Sequence, residues 1–200
     1  MVKFLATFLA IALAFSSNKP RHNTHVVFRV GISGTFYCTK TKRLAGLVWW
    51  DGKEISPLPV RRRGGLVCWK DGVVEAGYFE SGRKFNGKKI SPQDVRWALT
   101  GGGLFLKDGI PITAEEVSKR EGLSSYIVSH KNYVFILVHK DRRKISLGVS
   151  KDGIPPARLA QMLEGGFYAL LRLDGGSATY CFFNSRKPKW LNNAVGLPQK

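Results

Sequence analysis

The stretch GGFYALLRLDGGSATYCFF, residues 165–183, is the part of the chain whose reading decides the fold. Apolar residues run from 167 to 173 and resume from 178 to 183, broken by Arg172 and by the polar cluster Asp174-Gly175-Gly176-Ser177. Such a pattern predicts two buried strands on either side of one short polar loop. The loop would set a carboxylate, two backbone units without side chains and a hydroxyl at a strand end. Glycines there let a substrate approach the backbone and let N–H groups converge on an anion, while Asp174 is placed to move a proton. A plain hairpin turn is the competing reading, since Asp-Gly is itself a strong turn signal.

Working outward, Pro155 and Leu159, Ala160 and Leu163 sit at helical spacing and stop at Gly165-Gly166, which predicts a short helix feeding the decisive stretch. Before it, residues 133–138 and 145–149 read as strands joined by the basic turn Lys140-Asp141-Arg142-Arg143-Lys144. Thr113-Ala114-Glu115-Glu116 matches a capping box and predicts a second helix. Ser91-Pro92-Gln93-Asp94 has the cap, proline and acid of a third, running over residues 95–99. Further short strands end at Asp51-Gly52, Asp71-Gly72, Asp108-Gly109 and Asp152-Gly153, four repeats of one turn device with positive φ. Residues 26–32 form a strand ending at Ser33-Gly34-Thr35, where hydroxyls and a glycine again follow an apolar run. The expected architecture is α+β: a single strand-rich domain of mixed sheet, about ten strands with about three short helices.

The 200 residues carry 32 Lys and Arg against 14 Asp and Glu, a net charge of +18, which points to a polyanionic partner. Lys3 precedes an apolar run over residues 4–15, and Ala14 and Ser16 are the small residues of a cut after Ser16. Residues 1–16 therefore read as a signal peptide, 17–25 as a linker and 26–200 as the domain, with export to a secreted or periplasmic location. An exported chain lacking a nucleic-acid motif argues against nucleic acid as the partner. Cys38, Cys68 and Cys181 allow one disulfide with one thiol left over. His22, His25, His130 and His139 lack ligand spacing and no CxxC pair is present, so neither a metal nor another cofactor is expected.

Elimination narrows the acids. Four aspartates belong to Asp-Gly turns, and Asp94, Glu115 and Glu116 lie where helix N-termini favour negative charge. Glu54, Glu75, Glu80, Glu121, Asp141, Glu164 and Asp174 remain, and among these Asp174 alone lies between apolar strand and glycine.

The order of segments, from SGTFY at 33–37 through LAGLVWWDGK, ALTGGGLFLKDG, RRKISLGVSKDG and ALLRLDGGSATYCF to NNAVGLP, resembles the phosphodiester glycosidase domain family. The likeness covers about residues 28–198, and LGVSKDG followed after one helix by LDGGSAT is its most specific part. What it implies is hydrolysis of a sugar-1-phosphodiester in a phosphorylated or anionic glycan, with Asp174 catalytic. By the same resemblance, Ser33, Gly34, Thr35, Gly101, Gly102, Gly103, Arg143, Lys144, Gly175, Gly176, Ser177 and Asn193 would bind substrate. The chain departs from the family at two places: Ser33 stands where an Asn usually precedes the glycine, and Lys144-Ile145 where an Arg-Thr pair is usual. The alternative these departures suggest is an inactive glycan- or polyanion-binding module on the same scaffold.

Overall fold

A computed structural model describes residues 2–7, 12–15, 27–33, 37–38, 43–44, 46–57, 61–81, 83–150, 153–175, 181–186 and 193–198, with side-chain surroundings over 46–57, 61–81, 83–150 and 153–173. Two large sheets carry the domain. In the six-stranded sheet the order is β1 (Val2–Thr7), β16 (Ile145–Ser150), β15 (Tyr133–His139), β17 (Phe167–Gly175), β13 (Leu104–Lys107) and β14 (Ile110–Pro111). In the seven-stranded sheet it is β11 (Lys88–Lys89), β10 (Lys84–Phe85), β9 (Val74–Glu80), β8 (Arg63–Trp69), β12 (Val95–Thr100), β6 (Val48–Trp50) and β7 (Lys53–Ser56). A four-stranded sheet joins β18 (Cys181–Arg186), β3 (Val27–Ser33), β19 (Asn193–Pro198) and β2 (Ala12–Phe15), and β4 (Tyr37–Cys38) pairs with β5 (Arg43–Leu44).

Every described pairing is antiparallel, so the sheets are not mixed. Short turns account for the pairs of consecutive strands, such as β6–β7, β8–β9 and β13–β14, since parallel neighbours need a crossover of a dozen residues or more; pairs such as β15–β17 and β12–β8 join strands distant in sequence. Asp51-Gly52 and Asp108-Gly109 both have positive φ at both residues, as a tight hairpin turn requires, and Asp71 instead accepts a hydrogen bond from the Val73 N–H. The fourth turn aspartate, Asp152, lies outside the described residues.

Side-chain alternation produces three layers of core. Val134, Ile136, Val138, Ala169, Leu171 and Leu173 point from the six-stranded sheet onto Leu66, Val74, Ala76, Trp97 and Leu99 of the seven-stranded one. The opposite face of the six-stranded sheet, through Phe135, Leu137 and Leu170, is covered by α1 (Ala114–Glu121), α2 (Ser125–Ser129) and α3 (Pro156–Met162). Beyond the seven-stranded sheet, Trp49, Phe79 and Phe85 form a smaller core. That sheet curls around it, and Arg83, beside β10, lies 3.3 Å from Glu54 of β7 near the other edge. Truncating a fully buried aliphatic such as Ile136 to alanine would cost about 2–5 kcal/mol.

Two helices stand as expected. Thr113 caps α1 with its capping box intact, and α3 ends ahead of Gly165-Gly166. The third does not. Ser91 caps only a 3-10 turn over Pro92–Asp94, and residues 95–99 form the strand β12. Val95, Trp97 and Leu99 are buried there, and the β-branched and aromatic residues of VRWALT suit a pleated surface better than a helix. In its place comes α2, capped by the Ser124 side chain on the Ile127 N–H. At the chain start, β1 lies in register along β16 and β2 along β19, both inside the stretch read as a leader.

Candidate active site

One end of the six-stranded sheet carries Asp174 and Gly175 and is reached by Gly101-Gly102-Gly103. Tyr133, the first residue of β15, pairs with Ser150 at the end of β16 on one side and with Gly175 at the end of β17 on the other. Asp174 and Gly175 thus finish β17 beside Tyr133. The strands flanking the Asp174-Gly175 loop do not form a hairpin: β17 belongs to the six-stranded sheet and β18 pairs with β3 in another. Residues 176–180, which include Gly176 and Ser177, lie outside the described residues. They connect Gly175 to Cys181, six residues on and at most roughly 22 Å of contour away, and Cys181 pairs with Ile32, the neighbour of Ser33. Ser33 pairs with Ala194, the neighbour of Asn193. Gly34 and Thr35 lie outside the described residues.

The segment Gly101-Gly102-Gly103 reaches the same end as the crossing between the two large sheets, linking β12 to β13. Its backbone locks onto Arg172. The Gly102 N–H donates to the Arg172 carbonyl at 2.7 Å and the Arg172 N–H donates to the Gly103 carbonyl at 2.9 Å. The Gly101 N–H donates to the Gly64 carbonyl at 3.1 Å. A Cβ on Gly101 would strike the Arg172 carbonyl, and Gly103 has a φ of +129°, so close approach and backbone conformation both demand glycine here. The N–H groups of Gly101 and Gly102 are spent on the protein itself. The triglycine segment thus ties the crossing between the sheets to the end of β17.

Arg143 and Lys144 are not at this end at all. They lie on the turn joining β15 to β16, where His139 of β15 pairs with Phe167 at the start of β17. Asp174 is the better part of β17 away, about 20–25 Å at a strand's rise per residue. Both side chains face solvent: Arg143 donates to the Asp71 carbonyl at 2.9 Å and the Lys144 ammonium lies 3.7 Å from Asp141. The reason is the hairpin itself. Ile145 opens β16 and Ser150 closes it, so the two ends of one short motif emerge at opposite ends of the sheet.

The buried cation at this end is Arg172, which the sequence showed only as an interruption of an apolar run. It is 2 % exposed, and its guanidinium carbon lies 5.8 Å from the centre of the Tyr133 ring. The Tyr133 hydroxyl donates to the Ile154 carbonyl at 3.1 Å, and burial pushes the phenol well above its ordinary pKa, so it stays protonated. A charged residue alone in an apolar strand was the available signal, since such groups are buried only when something holds them.

Five of the other acids have structural partners. Glu54 and Glu75 accept the indole N–H of Trp49 and Trp69, Glu80 meets Arg62, and Asp141 accepts the backbone N–H groups of Arg143 and Lys144. Glu121 is different: 1 % exposed, it accepts from the Gly64 N–H at 2.8 Å and the Leu104 N–H at 3.0 Å. Burial raises its pKa against the opposing pull of those two donors. Cys68 is a free, buried thiol pushed up to about 11 by burial, while the side chains of Cys38 and Cys181 lie outside the described residues. Among the described residues no three His, Cys, Asp or Glu side chains gather as a metal-ligand set, and no helix is long and apolar enough to cross a membrane.

No family model matches the chain, and no curated protein does. Among solved structures it is similar to the catalytic domain of zebrafish N-acetylglucosamine-1-phosphodiester alpha-N-acetylglucosaminidase, auto-inhibited by its pro-peptide. The TM-score is 0.68 at 14 % identity, covering 100 % of this chain and 83 % of that one. It is also similar to a hypothetical protein from Synechocystis, with a TM-score of 0.66 at 15 % identity, and spans 59 % of that chain. The fold is that of a phosphodiester glycosidase catalytic domain.

Proposed function

We propose that the chain hydrolyses a sugar-1-phosphodiester in a phosphate-linked glycan, releasing the sugar and leaving a phosphomonoester. The observation that carries this reading is the placement of Asp174-Gly175. In a fold shared with a phosphodiester glycosidase catalytic domain, that dipeptide ends a strand whose neighbours in sequence go to different sheets. A hairpin turn has no such reason to exist there. Water adds to the anomeric carbon, the bond from that carbon to the bridging oxygen breaks, and the phosphate keeps that oxygen. Asp174 supplies the carboxylate for proton transfer in a step of oxocarbenium character. The diester is a monoanion, and the buried Arg172 guanidinium two residues earlier supplies positive charge beneath it.

The decisive experiment is turnover of the methyl phosphodiester of N-acetylglucosamine 1-phosphate, followed by release of the free sugar. The second reading, a binding module without turnover, is favoured by Ser33 and by the net charge of +18. Salt-sensitive binding of a phosphorylated glycan with no sugar released would select it. The leader is proposed to be cut after Ser16, which would remove β1 and β2 and leave β16 and β19 as edges; an exported protein whose mass retains residues 1–16 would refute the cut.

A further inference from the structure

The crossing between the two large sheets leaves two strand starts, Gly64 in β8 and Leu104 in β13, whose N–H groups have no strand to pair with. One side chain takes both. The Glu121 carboxylate reaches in from the last residue of α1 and accepts Gly64 on one oxygen and Leu104 on the other. Its own carbonyl accepts from the Arg63 guanidinium, so the helix end is tied to β8 as well. A Cβ on Gly64 would come within 2.6 Å of the Glu121 carboxylate, so the strand has been kept bare to admit it. The location is otherwise a poor one for an acid, being both buried and at the negative end of a helix dipole.

From Glu121 a ring of hydrogen bonds continues, joined by the peptide links of residues 101–104. Gly64 accepts from Gly101, Gly102 donates to Arg172, Arg172 donates to Gly103, and Leu104 returns to Glu121. The ring closes on the backbone of Arg172, two residues before Asp174. We infer that Glu121 is a positioning residue for the reaction assigned to Asp174: by clamping Gly64 and Leu104 it fixes the triglycine crossing, and through it the end of β17. This rests on the proposed hydrolase function for its catalytic consequence, but not for the clamp.

Glu121→Gln tests it, because an amide nitrogen cannot accept and one of the two N–H groups must lose its partner. The expected result is kcat lower by about tenfold with KM within about threefold, since geometry in the transition state is what a loosened crossing spoils. Val67→Ala, placed in the outer core, serves as a destabilised control assayed at a temperature where both variants are folded. Equal loss in both variants would reduce Glu121 to a stabilising residue and overturn the inference. Amide hydrogen exchange tests the clamp independently of activity. In the parental protein, Gly64 and Leu104 should exchange as slowly as the interior of β15, and in Glu121→Gln residues 101–104 should exchange about tenfold faster while β9 does not change. Fast exchange of Gly64 and Leu104 in the parent overturns the clamp even if no variant folds. If the parent hydrolyses no diester, the functional reading fails and exchange alone decides the clamp.

Discussion

The two ends of the six-stranded sheet are built from the same strands and treat charge in opposite ways. At the end formed by Phe167, His139 and the turn after it, Lys140, Asp141, Arg143 and Lys144 lie in water and pair with one another or with turn carbonyls. Exposed pairs of this kind contribute little, about 0–1 kcal/mol each, and any comparable turn would serve. At the end formed by Tyr133, Ser150 and Asp174-Gly175, Lys131 is exposed but Arg172 is buried, and the backbone around Arg172 is held by hydrogen bonds to glycines. Burying a guanidinium and forcing three consecutive glycines into a crossing both cost stability. Those costs fall at the end where the proposed reaction is placed.

The strongest way to break this comparison is Asp174→Asn. It keeps size and most hydrogen bonding while removing the carboxylate, so the thermal unfolding free energy should change by no more than about 1 kcal/mol. Turnover of the diester should fall by about a hundredfold or more. Parental turnover in the folded variant would return Asp174 to a structural role.

Next in size is Arg172→Lys. The charge is kept, but the planar fork that faces the Tyr133 ring at 5.8 Å is lost, and a lysine is not a geometric substitute. Turnover should drop on the order of tenfold, and Arg172→Met should drop it further. Equal activity in all three proteins would move the substrate's anionic group away from Arg172.

How far the sequence carried this site follows from what kind of signal each residue leaves. Turn chemistry is local, so Asp51-Gly52, Asp108-Gly109 and the Thr113 capping box were legible from a few residues each. Strand partners are not local. Nothing in GGFYALLRLDGGSATYCFF says that β17 and β18 join different sheets, and nothing in RRKISLGVSKDG says that its two ends part by the length of a strand. Arg143 and Lys144 were assigned by the family resemblance to a motif whose far end, Ser150, is the one beside Tyr133 and Gly175. The helix expected over residues 95–99 failed because its cap was real and its continuation was not: Ser91 closes one turn, and then Trp97 and Leu99 enter the core between the sheets, while a bulge after Val95 turns that residue into the outer core with Ala98. Glu121 survived elimination as an ordinary leftover acid. Its position at a helix C-terminus, just ahead of Gly122, was the clue, because an acid there works against the dipole unless it is needed.

A smaller effect separates two carboxylates of the same helix. Glu116, at the start of α1, is held below its usual pKa by the Thr113 backbone N–H first and the Thr113 hydroxyl next. Its contribution is present above the ordinary glutamate value and is lost as pH falls through the lowered one. Glu121 is raised, chiefly by burial, so its contribution is fullest below the ordinary value and declines as pH rises through the raised one. Thermal unfolding across pH should show Glu116→Gln converging on the parent in acid. The gap between the parent and Glu121→Gln should instead be widest in acid and narrow upward. Parallel curves for the two variants would contradict the burial of Glu121.

The smallest expected effect belongs to the solvent end. Arg143→Ala combined with Lys144→Ala removes two of the charges that the family resemblance put against substrate. Because their turn lies about 20–25 Å from Asp174 along β17, neither side chain can span the distance, and screening at physiological salt erases charge effects beyond about 8 Å. Turnover of a small diester should stay within about twofold of the parent, and unfolding should shift by less than about 1 kcal/mol, the worth of the exposed contacts to Asp71 and Asp141. Binding of a long phosphorylated glycan is the sharper measurement. A polymer that reaches from Asp174 to the turn would feel both charges, and its affinity would fall in the double variant while the small diester's rate would not. A loss of small-diester turnover by tenfold or more would mean that the two ends of the sheet are not separate, and the division between a solvated end and a chemical end would fall with it.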